Sequence, residues 1–521
     1  MKAYSVLATL ALVAGVSAQY TSSKVSLYSQ INLTTFDASS GNGCWGYVSP
    51  SGREYAIMGL SNKAAFVEIT NPASPVWVTS VAHSSSQWAD IKTYGRYCYV
   101  VTEASGSGIQ VIDMANIDQG SVTLVRTILP PVGPGRTHTI FVDTESGFLY
   151  TCGSRENSGW TTIWSLADPS NPQKVGPPSV SGGDYVHECQ VKTYTTGPAA
   201  GRQIMYACGA NRGLEIFDVT DKNNTFLIRR ITYPGVAYCH QGWLSEDLRY
   251  FYVNDELDEQ NLGSVQKTFV FDVSNPLDAS YIGTFSRNES NIDHNLYYRN
   301  GFVFESNYTR GLRIFDASDD PEAPAFVGFF DTYPTSNSQT FNGAWSNYPY
   351  FPSGTVIVSD INRGLFILNP AAALARLTIS GSITLSDYLP GPEDQTVDVE
   401  IRRTGQPTYT KTVTLGAGGA YSFTLNNTLA NANCTFAFKS ERFLRETLAP
   451  LNVGASGISN VNAALINGDI DGDNAIDIGD FAILSGTFGS SFVPADLDGD
   501  GEVAIGDYAI LSQNFGLNGD N

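Results

Sequence analysis

The chain is short of positive charge: 30 Lys and Arg face 51 Asp and Glu over 521 residues, a formal charge of −21. That sign excludes a nucleic-acid binder, which needs a basic footprint. Cysteine is also scarce. There are seven, none spaced as C-x-x-C, which argues against a zinc cluster, and the odd count leaves at least one thiol unpaired or paired between molecules. No G-x-S-x-G elbow, H-E-x-x-H helix or P-loop occurs, which removes the commonest hydrolase and nucleotide signatures. Past the N-terminus no apolar run reaches the roughly 20 residues of a membrane span.

What is present is core-forming material. Hydrophobic residues make up 42% of the chain and aromatics 12%, so disorder throughout is excluded and two to four domains are expected. Lys2, the apolar run from Val6 to Val16 and the small residues Val16-Ser17-Ala18 have the form of a cleaved secretory signal over residues 1–18. The expected location is therefore secreted, extracellular or attached to the cell surface, with no transmembrane segment. Six sequons, at Asn32, Asn223, Asn288, Asn307, Asn426 and Asn433, are glycosylation candidates. Cys189 and Cys208 lie in two alternating segments that read as neighbouring strands and form the first disulfide candidate.

From Asn42 to Pro370 one pattern recurs seven times. AAFVEIT, GIQVIDM, WTTIWSL, GLEIFDV, KTFVFDV, GLRIFDA and GLFILNP are each preceded by a partner such as EYAIMGL or YCYVVTE. Alternating β-branched and aromatic residues bounded by Gly, Asn and Pro are hairpin signals. A spacing of roughly 45 to 55 residues is that of propeller blades. The expected class is mainly β: a seven-bladed β-propeller over residues 19–370, with six or eight blades as alternatives.

CWGYVSPSGREYAIMGL, YCHQGWLSEDLRYFYVNDELDE, DHNLYYRN, SNYTRGLRIFD and FDTYPTSNSQTFNGAWSNYPYFPSG give most of residues 40–370 a specific resemblance to the LVIVD-repeat proteins of the choice-of-anchor B family. The resemblance implies a secreted propeller joined to one of several kinds of C-terminal anchor. It implies no activity.

The described pattern also orders the five histidines. His83, His138, His187, His240 and His294 are 55, 49, 53 and 54 residues apart. The last four open equivalent segments and should converge at one end of the channel, where first strands lie innermost. His83 fits the register less well, and Asp90 is the candidate for that blade's slot. Two readings stand: imidazoles helped by Glu188, Asp293, Asn295 and Asn342 hold a divalent metal or a ligand, or they hydrogen-bond around a wet channel. Asp255, Glu256, Asp258 and Glu259 in NDELDE are either a solvated acidic loop or paired acid-base groups. Trp45, Trp88, Trp243, Trp345, Tyr348 and Tyr350 could form a platform for sugar or peptide, Trp345 above all, because its segment is long and turn-rich.

Residues 371–466 carry short alternating strands that suit an immunoglobulin-like sandwich and resemble carboxypeptidase-regulatory-like modules. The last segment, 467–521, has eleven acids and no Lys or Arg. Asp469, Asp471, Asp473, Asp477 and Asp480 occupy loop positions 1, 3, 5, 9 and 12, with the Ala475 carbonyl at 7. A second copy follows 27 residues later with Asp496, Asp498, Asp500, Glu502 at position 7 and Asp507; Ala504 replaces the acid at position 9, leaving that place to water. Each loop runs into an apolar helical segment, FAILSGTFG or YAILSQNFG. The duplicated loop and helix resemble a type I dockerin, which implies two calcium ions and docking onto a cohesin.

The expected function is that of a secreted, calcium-binding modular protein. Its propeller presents a ligand-binding or interaction face, with carbohydrate as one candidate, and its tail attaches to a cohesin-like or cell-surface protein. The rival expectation is an extracellular polysaccharide-active hydrolase or lyase working at the channel mouth, with a divalent metal held there.

Overall fold

The computed structural model describes residues 20–129, 135–154, 158–176, 184–406 and 408–520. The expected leader over residues 1–18 lies outside them. The chain is mainly β and divides into two compact units, Met1–Ala373 and Leu374–Asn521. No helix among the described residues is long and apolar enough to cross a membrane.

Among the described residues, the first unit holds seven antiparallel sheets of four or five strands. Their first strands are Gly41–Val48, Ala89–Tyr94, Thr139–Asp143, Glu188–Thr193, Cys239–Leu244, Asn295–Arg299 and Ala344–Tyr348. Each packs on the next, and Ala344–Tyr348 returns to Gly41–Val48, so the circuit closes. The recurring segments read from the sequence are the third strands, paired with the partners expected of them, as in Leu312–Asp316 against Phe302–Ser306. Second strands are buried along nearly their whole length, as in Glu54–Leu60 and Val356–Asp360, because sheets cover both of their faces. Fourth strands such as Thr123–Ile128 are largely exposed.

The last sheet is completed from the other end of the chain. Ser26–Ile31 pairs with Gly364–Asn369 as its outer strand, and Ser22–Ser23 adds to the edge of the preceding sheet. Residues 22–31 are thereby tied to the last two sheets of this unit.

The glycine that opens several third strands has a steric cause. At Gly311 φ is +69°, and a Cβ would stand 2.2 Å from the Phe330 carbonyl oxygen of the adjoining fourth strand; Gly213 meets Ile231 in the same way at 2.3 Å. Only glycine fits such a backbone without displacing the outer strand. Gly311→Ala is expected to cost about 1–3 kcal/mol, read as a lowered urea midpoint with an unchanged slope.

The cysteine expectation is corrected. Cys189 lies opposite Ala207, while Cys208 lies opposite Glu188. All seven cysteines are buried thiols. The Cys189 sulfur sits 3.4 Å from that of Cys152, in the sheet before its own, and the Cys208 thiol neighbours that of Cys239 in the sheet after. The close pairs therefore run between sheets. Among the sequons, Asn32, Asn223, Asn288 and Asn433 are exposed. Asn307 and Asn426 are buried and cannot carry a glycan in the folded chain.

In the second unit, Arg376–Leu385 pairs with Ala420–Asn426 and Gly457–Ile458, while Thr396–Arg402 lies between Tyr409–Thr414 and Ala432–Ser440. Alternation decides the packing: Val397, Val399 and Ile401 point inward, with polar neighbours between them. The two helices, Ile478–Thr487 and Ile505–Asn514, close a small core with Leu444, Ile470, Ile476, Leu484, Leu497 and Leu511. The tail and the strands before it thus share one compact unit.

Candidate functional site

Three arrangements carry chemistry. The first is the histidine arc. His138, His187, His240 and His294 stand at the starts of four consecutive first strands, with ring centroids 4.4, 4.0 and 4.3 Å apart. Trp88 continues the arc beside His138 at 6.1 Å, and Trp345 ends it beside His294 at 4.5 Å. These rings line an axial cavity of about 20 Å³, together with Asp90, Glu188 and Asn295. That is room for about one water molecule or one ion.

Several sequence expectations change here. Trp88, rather than Asp90, takes the histidine's place in its sheet; Asp90 forms an ion pair at 3.0 Å with the buried Lys92. Trp345 belongs to the arc and is not an open platform. Asn342 bonds Thr340 and Asn362. His83 stands apart, its Nδ1 on the Ser84 carbonyl at 2.9 Å. Asp258 and Glu259 are buried in a short helix, Asp258–Leu262, so NDELDE is not a solvated loop.

The arc fixes imidazole tautomers. His187 Nδ1 donates to the His240 carbonyl at 3.0 Å, and His294 Nδ1 donates to the Trp345 carbonyl at 2.5 Å. Each ring then turns an Nε2 lone pair away from the backbone. Burial, and then the neighbouring imidazoles, push His187 and His240 well below the usual histidine range; burial takes His294 down to about 3. These rings are neutral in the physiological range.

The residue that sequence reasoning did not place with them is Glu256. It lies one residue past the strand Tyr250–Asp255, and its carboxylate oxygens are 3.7 Å from His240 Nε2 and 3.6 Å from His294 Nε2. Those separations are too long for direct hydrogen bonds. They are close to the ~3.4 Å between two ligands about 2.1 Å from one tetrahedral metal. One ligand atom from each of the three residues lies within 4.8 Å of the others. Tyr308 donates to Glu256 Oε1 at 2.5 Å and so orients the carboxylate. Burial pushes the Glu256 carboxyl up to about 7. Two imidazoles and a carboxylate can hold zinc or ferrous iron and leave a coordination position open.

The second arrangement lies at the C-terminal ends of the same first strands. A cavity of about 390 Å³ is lined by Trp45, Trp243, Tyr348, Tyr350, Lys92 and Lys192, among others. Trp45 meets Tyr348 edge-on at 4.9 Å, and Trp243 meets Tyr297 at 5.0 Å. Aromatic faces beside charged and amide groups suit a polar ligand with apolar faces.

The third is the pair of acidic loops. Asp469, Asp471 and Asp473 bring carboxylate oxygens within 4.8 Å of one another, as do Asp496, Asp498 and Asp500. Ligands of one calcium ion can be up to ~5 Å apart. At position 12, Asp480 accepts from Ile470, Asp471 and Asp477 N–H groups, and Asp507 accepts from Leu497, Asp498 and Ala504 in the same pattern. These buried aspartates draw each loop onto the start of its helix. Asp477 caps the first helix through Gly479 N–H at 2.6 Å, whereas Ala504 has no side-chain oxygen to offer. Glu502 is exposed and donates its N–H to Asp500, and Ala475 bridges to Asn518. Asp471 and Asp498 are both raised, by desolvation first and then by neighbouring aspartates. A bound cation would relieve that repulsion.

No family model and no curated protein matches the chain. Among solved structures, an interface mutant of a type II cohesin–X-dockerin complex from Acetivibrio cellulolyticus is 21% identical, over 27% of this chain and 97% of that one, with a TM-score of 0.22. A functionally unknown protein from Desulfotomaculum acetoxidans is 14% identical over 56% of this chain and 86% of its own, at 0.40. A chain of the COPII outer coat vertex on membranes is 10% identical over 63% of this chain and 84% of its own, at 0.45. Scores this low are likenesses that assign no function.

Proposed function

We propose that the protein is an extracellular, calcium-dependent attachment protein. Its seven sheets act as the blades of a β-propeller that presents the aromatic-lined cavity to carbohydrate. Its sandwich links that propeller to a dockerin-like tail, which binds two calcium ions and docks on a cohesin-like or cell-surface protein. The observation that carries this reading is the repeated pairing of an aspartate triad with a helix, 27 residues apart.

The tail's surface supports docking. Ile478 and Ile505 are 68% and 71% exposed, and Phe481 and Tyr508, also exposed, lie 6.3 Å apart across the two helices. Equivalent apolar positions on both copies make one patch, of the kind that marks a protein contact. The test is binding of the full chain to a panel of immobilised cohesins and to intact cells. Binding in calcium that is lost in EDTA and in a Phe481→Ala/Tyr508→Ala variant supports attachment. Failure to bind any of them in calcium overturns it.

The rival reading, an extracellular hydrolase or lyase acting on polysaccharide, is favoured by the His240, Glu256 and His294 constellation. In that reading the three residues would hold a divalent metal that polarises a substrate oxygen or bound water. Tyr308→Phe removes one hydroxyl from a buried ring and leaves its packing. It is expected to weaken zinc binding about 10–100-fold in a competition titration, with thermal stability little changed.

A further inference from the structure

The seven buried cysteines are unevenly divided among the hydrophobic cores, and the proposed function uses none of them. Cys152 and Cys189 belong to one cluster, between the third and fourth sheets, with Trp160, Val186 and Met205. Cys208 and Cys239 share the next, between the fourth and fifth. Cys44, Cys98 and Cys434 lie in three other cores, one in each. The odd count thus resolves into two pairs and three isolated thiols.

Strand alternation explains the division. Cys189 stands opposite Ala207 on the neighbouring strand, so Cys208, one residue further, turns its side chain to the other face of the sheet. Cys189 is left facing Cys152, which ends the strand Phe148–Cys152, and their Sγ atoms are 3.4 Å apart. A disulfide holds its sulfurs about 2.05 Å apart, so closing the pair takes roughly 1.4 Å, within reach of side-chain rotation. The two residues are 0% and 4% exposed. Thiols buried this deeply among apolar side chains are inert once the sheets have packed, so a bond between them has to form while the chain is still folding.

We infer that Cys152 and Cys189 are a site of oxidative modification, joined during folding by a disulfide that staples the third sheet to the fourth. Both S–H bonds break and one S–S bond forms. The two electrons and both protons pass by thiol–disulfide exchange to a disulfide donor, which leaves as two thiols. An extracellular route supplies such donors. The bond closes a loop whose ends are 37 residues apart and so restricts the unfolded chain. It also sits against the histidine arc: the His138 N–H donates to the Cys152 carbonyl at 3.0 Å, and Cys189 follows His187 by two residues. The staple therefore fixes the spacing of the first two imidazoles.

The inference goes beyond the proposed function and is tested apart from it, because the oxidant is supplied. The full chain is reduced, unfolded and refolded in calcium with glutathione disulfide; remaining thiols are alkylated and the digest is mapped by mass spectrometry. A peptide pair joined through Cys152 and Cys189, lighter by two hydrogens, is expected. Alkylation of both residues overturns the inference, as does a bond from Cys189 to Cys208. Should the reduced chain not refold, the chain exported by a secreting host is mapped in the same way, with the same outcomes deciding. Stability gives an independent reading. Adding reductant should lower the thermal midpoint of the first unit by about 5–10 °C in the oxidised wild type, and by less in Cys152→Ala/Cys189→Ala. Equal shifts in the two proteins would refute the bond.

Discussion

Removal of calcium with EDTA is expected to unfold the tail over residues 467–520 and to leave the seven sheets of the first unit intact. The two helices have ten residues each, below the ~12–15 at which an isolated helix becomes even marginal in water. Their core is small, and its outer faces carry exposed Ile478, Phe488, Val493 and Ile505. Against that modest burial stand six aspartates gathered into two triads, whose repulsion must be relieved for the fold to persist. Calcium at about 100 times its dissociation constant adds ~2.7 kcal/mol for each loop. Two loops then supply about 5 kcal/mol, a large share of the 5–15 kcal/mol typical of a whole domain. Loss of the tail's helical circular dichroism and rapid proteolysis after Ile466 are the expected readouts. A tail that kept both its helicity and its protease resistance in EDTA would show that the aspartates are not calcium ligands. The ion pair of Lys439 with Asp469 at 2.8 Å and the bond from Arg442 to the Asp496 carbonyl offer a second check. Through them the strand Phe443–Thr447 should lose amide protection together with the tail.

The sheets were legible because segments rich in β-branched and aromatic residues recur at a fixed spacing, and a positive-φ backbone packed against a neighbouring carbonyl admits only glycine. GLEIFDV and GLRIFDA carry both signals, and each became a third strand. The acidic loops were legible because ligand spacing is local in the chain. The rest depended on side-chain direction and on contacts between sheets. Glu256 belongs to a segment that reads as a charged turn, and only the meeting of neighbouring sheets brings it to His294. The slip from Asp90 to Trp88 is two residues, which keeps the same face of a strand and so leaves no trace in the hydrophobic pattern. Cys189 and Cys208 do lie on adjacent strands, but diagonal register gave each a closer partner in a neighbouring sheet. Ser26–Ile31 has no recurring motif, and its role as an outer strand follows only from closure of the ring.

Replacing His240 and His294 together by alanine is expected to abolish stoichiometric binding of a transition metal by the full chain, a loss of more than about 100-fold in affinity. The two imidazoles supply the only nitrogen donors within reach of Glu256 in the three-residue set, and a lone carboxylate is a poor ligand for zinc. The dependence on pH follows from the same groups. His294, at about 3, and His240, well below its usual range, carry no proton to be displaced above pH 5. Glu256 does, because burial raises it from 4.5 to about 7. In the metal-free chain a raised carboxyl holds its proton more tightly folded than unfolded. It therefore favours folding below about 4.5, and that contribution is lost as pH climbs through 7. Metal binding runs the opposite way, since the ion must displace the proton. Affinity should rise about tenfold per pH unit up to about 7 and then level off. Glu256→Gln should flatten that slope while leaving a weaker site. Wild-type protein that retained no transition metal at pH 8, or a double-histidine variant that retained as much as the wild type, would remove the metal centre and with it the enzymatic reading.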